Sequence, residues 1–171
     1  ITSLPKSSFS NKYLQYIDLS QNQISSITTD AFSSLYSATT LNLSHNKLTT
    51  IPINLFNAVP NLQVLYLDNN FLSLLDSSIF TSLSSLQKLY LQNNNLATLV
   101  SGTFSKQTSL TTINLSGNPW VCDKDLYWLK TYLKSKATLT IESTNNTLCT
   151  DSVGNTTPLL ETGDYFWLRS K

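Results

Sequence analysis

Covalent chemistry needs groups that attack, shuttle protons or hold a metal, and this chain of 171 residues offers few of them in useful company. Its single histidine, His45, has no metal-ligand partners at useful spacing and reads as a surface residue. No nucleophile elbow, phosphate-binding loop or catalytic triad set is present, and with one histidine most acid–base arrangements lack a member. The sequence therefore predicts no enzyme, no cofactor and no metal site. A different chemistry recurs at one spacing. Tyr66 and Tyr90 are 24 residues apart, as are Val64 and Lys88, and Asp68 and Gln92. Aromatic residues ringed by charges have the composition of an interface hot spot. Tyrosine gives a large contact area and a polar tip at low entropic cost. With Tyr16 and Asp18, these residues are the candidate ligand-binding set, and the acidic members suit cationic or hydroxyl-rich ligands, sugars included. The competing reading is plainer: tyrosine pairs across strands also stabilise sheets, and surface acids are commonly just solvated.

The spacing comes from a repeat. Asn22, Asn46, Asn70, Asn94 and Asn118 stand at a constant interval of 24 residues. Each is framed alike, as in Leu62-x-x-Leu65-x-Leu67-x-x-Asn70-x-Leu72 and Leu86-x-x-Leu89-x-Leu91-x-x-Asn94-x-Leu96. A fixed period of this length with the pattern L-x-x-L-x-L-x-x-N-x-L marks a solenoid. Leu65 and Leu67, two apart, share the inner face of a short strand, so Tyr66 between them faces out. Neighbouring strands bring Tyr66 and Tyr90 side by side. The asparagine closes the turn, its amide serving loop backbone and the next repeat's carbonyls. A second ladder, Phe9, Phe32, Phe56, Phe80 and Phe104, predicts a ring spine on the far side of the core. The segments between carry no helical period, so that side is expected to be irregular. Ile1, Leu4 and Phe9 occupy the places of Ile24, Ile27 and Phe32, so the chain begins in mid-repeat, and residue 1 is not expected to be the natural start of the folded unit.

A formal net charge of +1 gives no field that would attract nucleic acid or an anionic membrane. No apolar run approaches the roughly 20 residues of a membrane helix. Cys122 and Cys149 both lie after the last repeat. Either they pair and staple a cap, which implies an oxidising compartment, or they are free thiols in a core. Glycosylation sequons at Asn42, Asn114, Asn145 and Asn155 favour the first reading. Asn145 and Asn155 sit in loop-like sequence and are the better acceptors, because Asn42 and Asn114 fall inside the repeat pattern itself.

Asn118-Pro119-Trp120-Val121-Cys122-Asp123 opens the cap. Asp123 is the expected N-cap of a helix running to about Lys136. Leu126, Leu129 and Leu133 share its apolar face, widened by Trp128 and Tyr132. Lys130, Lys134 and Lys136 lie late in that helix, where cations suit its dipole. The N-P-W-x-C opening, the L-Y-W-L helix and the later cysteine resemble the cysteine-flanked C-terminal cap of extracellular leucine-rich-repeat proteins. Those include variable lymphocyte receptors, Toll-like receptors and Slit-type guidance proteins. The resemblance covers roughly residues 1 to 150 and looks most like a variable-lymphocyte-receptor-like protein. Family caps carry two disulfides; here Lys124 stands where a further cysteine would be, so one whole bridge is absent.

The resemblance implies an α/β leucine-rich-repeat solenoid, a short horseshoe with a parallel concave β-sheet, an irregular convex side and a C-terminal helical cap. Residues 1–118 would form the repeats, and residues 119–171 the cap with one disulfide and a tail. Tyr165-Phe166-Trp167-Leu168 in that tail is expected to pack back on the cap. The implied function is extracellular recognition by a secreted or cell-surface anchored monomer. Its partner would be a microbial surface component or a protein or glycan antigen held on the concave face. The alternative is a cell-adhesion or signalling ectodomain that binds a host protein.

Overall fold

The structure is a computed structural model and describes residues 1–163. The tail run from Tyr165 to Leu168 lies outside the described residues. Each repeat contributes a short strand because only its L-x-L segment alternates between core and solvent. In chain order the strands are β1 (Ser3–Leu4), β2 (Tyr16–Asp18), β3 (Ser26–Ile27), β4 (Thr40–Asn42), β5 (Val64–Tyr66), β6 (Lys88–Tyr90), β7 (Thr112–Asn114), β8 (Trp120–Val121), β9 (Thr140–Glu142), β10 (Leu148–Thr150) and β11 (Thr156–Pro158). The main sheet is parallel and six-stranded, in the order β2-β4-β5-β6-β7-β9. Its inward residues Ile17, Leu41, Leu65, Leu89 and Ile113 are buried. Leu4 of β1 pairs with Ile27 of β3, as the mid-repeat alignment of the first residues requires.

The asparagine ladder holds the sheet in register. Asn70 is buried, and its amide nitrogen donates to Leu43 O of the preceding repeat at 3.0 Å, to Leu67 O at 3.1 Å and to Asp68 O at 3.2 Å. Its carbonyl oxygen accepts the Leu48 amide of the preceding repeat at 3.0 Å. Asn46, Asn94 and Asn118 repeat the arrangement with equivalent partners. The ladder therefore reaches back to the previous repeat, not forward to the next as expected from the pattern. The residue before each asparagine takes a left-handed turn, with φ of 54° at Gln21, 52° at His45, 53° at Asn69, 54° at Asn93 and 64° at Gly117. His45 is exposed there and has a conformational place, consistent with its reading as a surface residue. At Gly117 a Cβ would also collide with Asn93 Oδ1.

Phe32, Phe56, Phe80 and Phe104 are buried, with Phe9 half-buried at the end. Ring centroids lie 5.9 Å apart for Phe9–Phe32, 6.3 Å for Phe56–Phe80 and 6.1 Å for Phe80–Phe104. The side they fill is built of turns and one short 3-10 segment, Leu55–Ala58. In the last repeat the buried position of Leu35, Val59 and Leu83 holds Gln107. Its amide donates to Phe80 O at 2.6 Å and Leu83 O at 3.3 Å, a backbone tie that the sequence reading missed.

The cap begins with Trp120, whose indole donates to Leu115 O at 2.9 Å. One helix, α1 (Tyr127–Ser135), closes the core with Leu129 and Leu133, preceded by buried Leu126. It starts later than expected from Asp123. The Asp123 carboxylate instead accepts the Asp125 and Leu126 amides, each at 3.0 Å, and so caps the turn that leads into the helix. Phe104 hands the ring spine to Trp128 at 6.1 Å and Tyr132 at 5.7 Å. Lys130 is not a dipole-facing surface cation as expected: it is buried and donates to Thr162 O. Cys122 and Cys149 form a disulfide across a separation of 27 residues, which settles the pairing. A closed loop of that size is worth about 3.5 kcal/mol in the chain-entropy picture.

Removing the amide of Asn70 orphans the buried Leu48 amide of the preceding repeat and leaves Leu43 O there with Asn46 Nδ2 as its one side-chain donor. We expect Asn70→Ala to cost about 3 kcal/mol or more in urea unfolding. Asn22 is half-buried, donates only to Leu19 O and Ser20 O within its own repeat, and accepts from the exposed Ile1 amine at 3.1 Å instead of from a buried amide, so Asn22→Ala should cost about 1 kcal/mol. Equal losses at the two sites would show that the link between repeats adds nothing.

Candidate recognition surface

The sheet register sets the outward residues in rows. One row runs Tyr16, Thr40, Val64, Lys88, Thr112, Thr140. The next runs Asp18, Asn42, Tyr66, Tyr90, Asn114, Glu142. A third lies just past the strands, where Leu67 N donates to Tyr90 O at 2.9 Å and Asn69 N to Gln92 O at 3.0 Å, setting Asp68 beside Gln92. The structure thus brings Val64, Tyr66, Asp68, Lys88, Tyr90 and Gln92 together on two adjacent repeats. Tyr16 and Asp18 stand two strands away, with β4 between, and are exposed.

Tyr66 and Tyr90 stack, with ring centroids 4.6 Å apart and planes within 4°. That spacing is close to the ~4.8 Å between strands, so the backbone itself dictates the stack. The pair separates Lys88 on one side from Asp68 on the other. Burial pushes both phenols above their ordinary pKa. For Tyr90 the carboxylate of Glu142 adds to this, ahead of Tyr66 and Asp68. For Tyr66 the further contributions come from Tyr16, Asp68 and then Glu142. Asp18 is held below the usual carboxylate range, first by its hydrogen bonding with Ser20, whose amide donates to its Oδ1 at 2.9 Å.

Asp68 corrects the picture of a solvated surface acid: it is only 7% exposed. Its Oδ2 accepts from Asn69 Nδ2 at 2.7 Å, and Asn69 Oδ1 in turn accepts from Asn93 Nδ2 at 3.1 Å. Glu142 is the residue that sequence reasoning missed. It rides on β9, which the cap contributes as the sixth strand, and no asparagine motif marks that segment. The available signal was the alternation Ala137-Thr138-Leu139-Thr140-Ile141. Glu142 also covers Asn114, whose Nδ2 donates to its Oε2 at 3.3 Å while Asn114 Oδ1 accepts from Ser116. Asn114 is therefore buried, its amide nitrogen turned to a carboxylate, so its sequon is not an open glycan acceptor as the sequence allowed. Asn42 is half-buried on the face, and Asn145 and Asn155 are exposed.

The two tyrosines report on this field. Each phenol has a raised folded-state pKa, so its contribution to stability is complete below the ordinary value near 10 and is lost as pH rises toward the folded value. Glu142→Gln should bring the Tyr90 midpoint down more than that of Tyr66, read from ring carbon shifts in an NMR titration. An equal change at both rings, or none, would show that β9 does not set the charge of the sheet's centre.

Comparison with known proteins agrees with this architecture. The leucine rich repeat profile matches residues 1–48 and 60–119. No curated protein matches the chain. Among solved structures, human 5T4, also named Wnt-activated inhibitory factor 1 or trophoblast glycoprotein, is similar with a TM-score of 0.72 and 22% identity, over 98% of this chain and 74% of that one. At that identity the likeness speaks for the fold alone. With 357 structure chains matching, the architecture is widely shared and does not by itself choose a ligand. The profile covers more than half of the sequence, and the chain belongs to the leucine-rich-repeat family.

Proposed function

We propose that this chain is an extracellular recognition module that holds its partner on the concave sheet face, centred on Tyr66 and Tyr90. The observation that carries the reading is the stacked aromatic pair set between Lys88 and the carboxylate of Asp68. Large rigid rings with charge on both flanks supply contact energy and orientation together. The Cys122–Cys149 bridge supports an oxidising, extracellular setting. Among the described residues no helix is long and apolar enough to cross a membrane. Leucine-rich-repeat faces of this kind serve binding, and the reading assigns the chain no catalytic role.

The partner we propose is an antigen or microbial surface component. The resemblance of the N-P-W-x-C cap and short repeat array to variable lymphocyte receptors supports that reading. A host-protein partner in adhesion or signalling is the second reading, favoured by the likeness to a protein named trophoblast glycoprotein and Wnt-activated inhibitory factor.

A binding screen of the purified chain against bacteria, their surface glycans and host cells separates the two. Tyr66→Ala combined with Asp68→Ala should weaken binding by about 30-fold or more, the usual cost of losing a hot spot. Thr29→Ala, on the turn-bearing side, should leave it unchanged. Binding to microbes that the concave variant loses supports antigen recognition, and binding to host cells alone supports adhesion or signalling. Partner binding that survives in the concave variant places the function elsewhere on the molecule.

A further inference from the structure

The third row of the sheet face carries an unsolved problem in hydrogen bonding. Asp68 Oδ1 and Gln92 Oε1 are both buried without a hydrogen-bond partner. Both are acceptors, and the register makes them neighbours on adjacent repeats. Buried polar atoms are almost always paired, and a carboxylate oxygen without a donor is costly. Three donors of this face are committed elsewhere: Asn69 Nδ2 to Asp68 Oδ2, Asn93 Nδ2 to Asn69 Oδ1, and the Ser116 hydroxyl to Asn114 Oδ1. No side chain of this face donates to either oxygen.

We propose that Asp68 and Gln92 form a receptor for a cationic side chain of the bound partner, a guanidinium above all, with the Tyr66–Tyr90 stack as its wall. This deepens the recognition function above and rests on it. The chemistry selects the ligand. Two acceptors carried by residues about one strand spacing, ~4.8 Å, apart along the sheet suit a donor that carries several N–H groups in one plane. Aromatic faces add attraction for a delocalised cation. Asp18, Asp68 and Glu142 make the face acidic, and its cation Lys88 lies across the tyrosines from the two acceptors. Among the described residues no group of three His, Cys, Asp or Glu could hold a metal ion. Admitting it takes side-chain rotation on the sheet face, of the kind interfaces commonly make on binding.

The test is an NMR titration of the chain with the peptide acetyl-Gly-Arg-Gly-amide, against the same peptide carrying citrulline, the neutral isostere. The Tyr66 and Tyr90 rings and the Gln92 side-chain amide are followed. The arginine peptide should shift them saturably, and the citrulline peptide should bind about tenfold more weakly or worse, since charge-assisted bonds are the stronger ones. Asp68→Asn should lower the arginine affinity by about tenfold, and Gln92→Glu should raise it, because both oxygens face the cation. Unchanged spectra elsewhere establish that the variants are folded. Equal response to both peptides, shifts away from these residues, or an Asp68→Asn variant that binds as the parent does would overturn the receptor. So would weaker binding in Gln92→Glu, which means that Gln92 donates to Asp68 and closes the site. The two levels separate cleanly. If the peptides behave as expected but the Tyr66/Asp68 double variant keeps its cell or bacterial binding, the receptor stands and the concave-face function falls. If the peptides do nothing and that variant loses its binding, the function stands and the cationic receptor falls.

Discussion

One buried amide per repeat governs the rest of this structure. A chain that turns sharply at the end of each strand must leave backbone N–H and C=O groups inside, and such groups need partners. Asn46, Asn70, Asn94 and Asn118 provide them from a single side chain, which donates to carbonyls of two repeats and accepts an amide from the earlier one. A carboxylate in the same place could not donate, and a leucine could do neither. Because the amide reaches back to one fixed position, it sets the vertical alignment of neighbouring repeats. The Phe80–Phe104 contact and the Tyr66–Tyr90 stack are consequences of that alignment on opposite sides of the core.

Fixing the inside frees the outside. The inward positions of β4, β5 and β6 are all leucine, whereas the outward central row changes chemistry along the sheet, from Asp18 through Tyr66 and Tyr90 to Glu142. Those outward residues vary with little effect on the fold, so the sheet can carry a binding specificity almost independently of its stability. Asp68 and Gln92 are the exception. One side-chain oxygen of each is buried without a hydrogen-bond partner. Such conflicts between local rules and the fold concentrate where a protein meets something else.

The repeat made much of this legible in advance. Any relation between one copy and the next could be read from the spacing: the strand register, the phenylalanine spine, the pairing of Tyr66 with Tyr90. The apolar face of the cap helix followed from its own period. The burial of Asp68 did not, because position in a strand says which way a residue points and not how deeply its neighbours cover it. Nor did the backward reach of the asparagines, since the pattern is the same read either way. The cap was the least legible part. Thr140–Glu142 has no earlier copy to be compared with, and its pairing with β7 depends on where the intervening helix sets it down. The same ignorance hid the burial of Asn114.

That sixth strand gives the cap a part in the face as well as in the core. The cap helix covers the open end of the leucine stack with Leu129 and Leu133, while β9 extends the sheet by one strand and places Glu142 on the outward row. Between Glu142 and Tyr90 stands only β7. A carboxylate two strands away, about 10 Å by the strand spacing, lies near the screening length at physiological salt. Its influence on the tyrosines is therefore felt but would not survive much added distance. One further repeat inserted between β6 and β7 would leave every core contact of the solenoid type intact and move Glu142 beyond that range. The number of repeats between the aromatic centre and the cap is thus an electrostatic variable as well as a geometric one, and in this chain it keeps the acid of the cap within reach of the tyrosine pair.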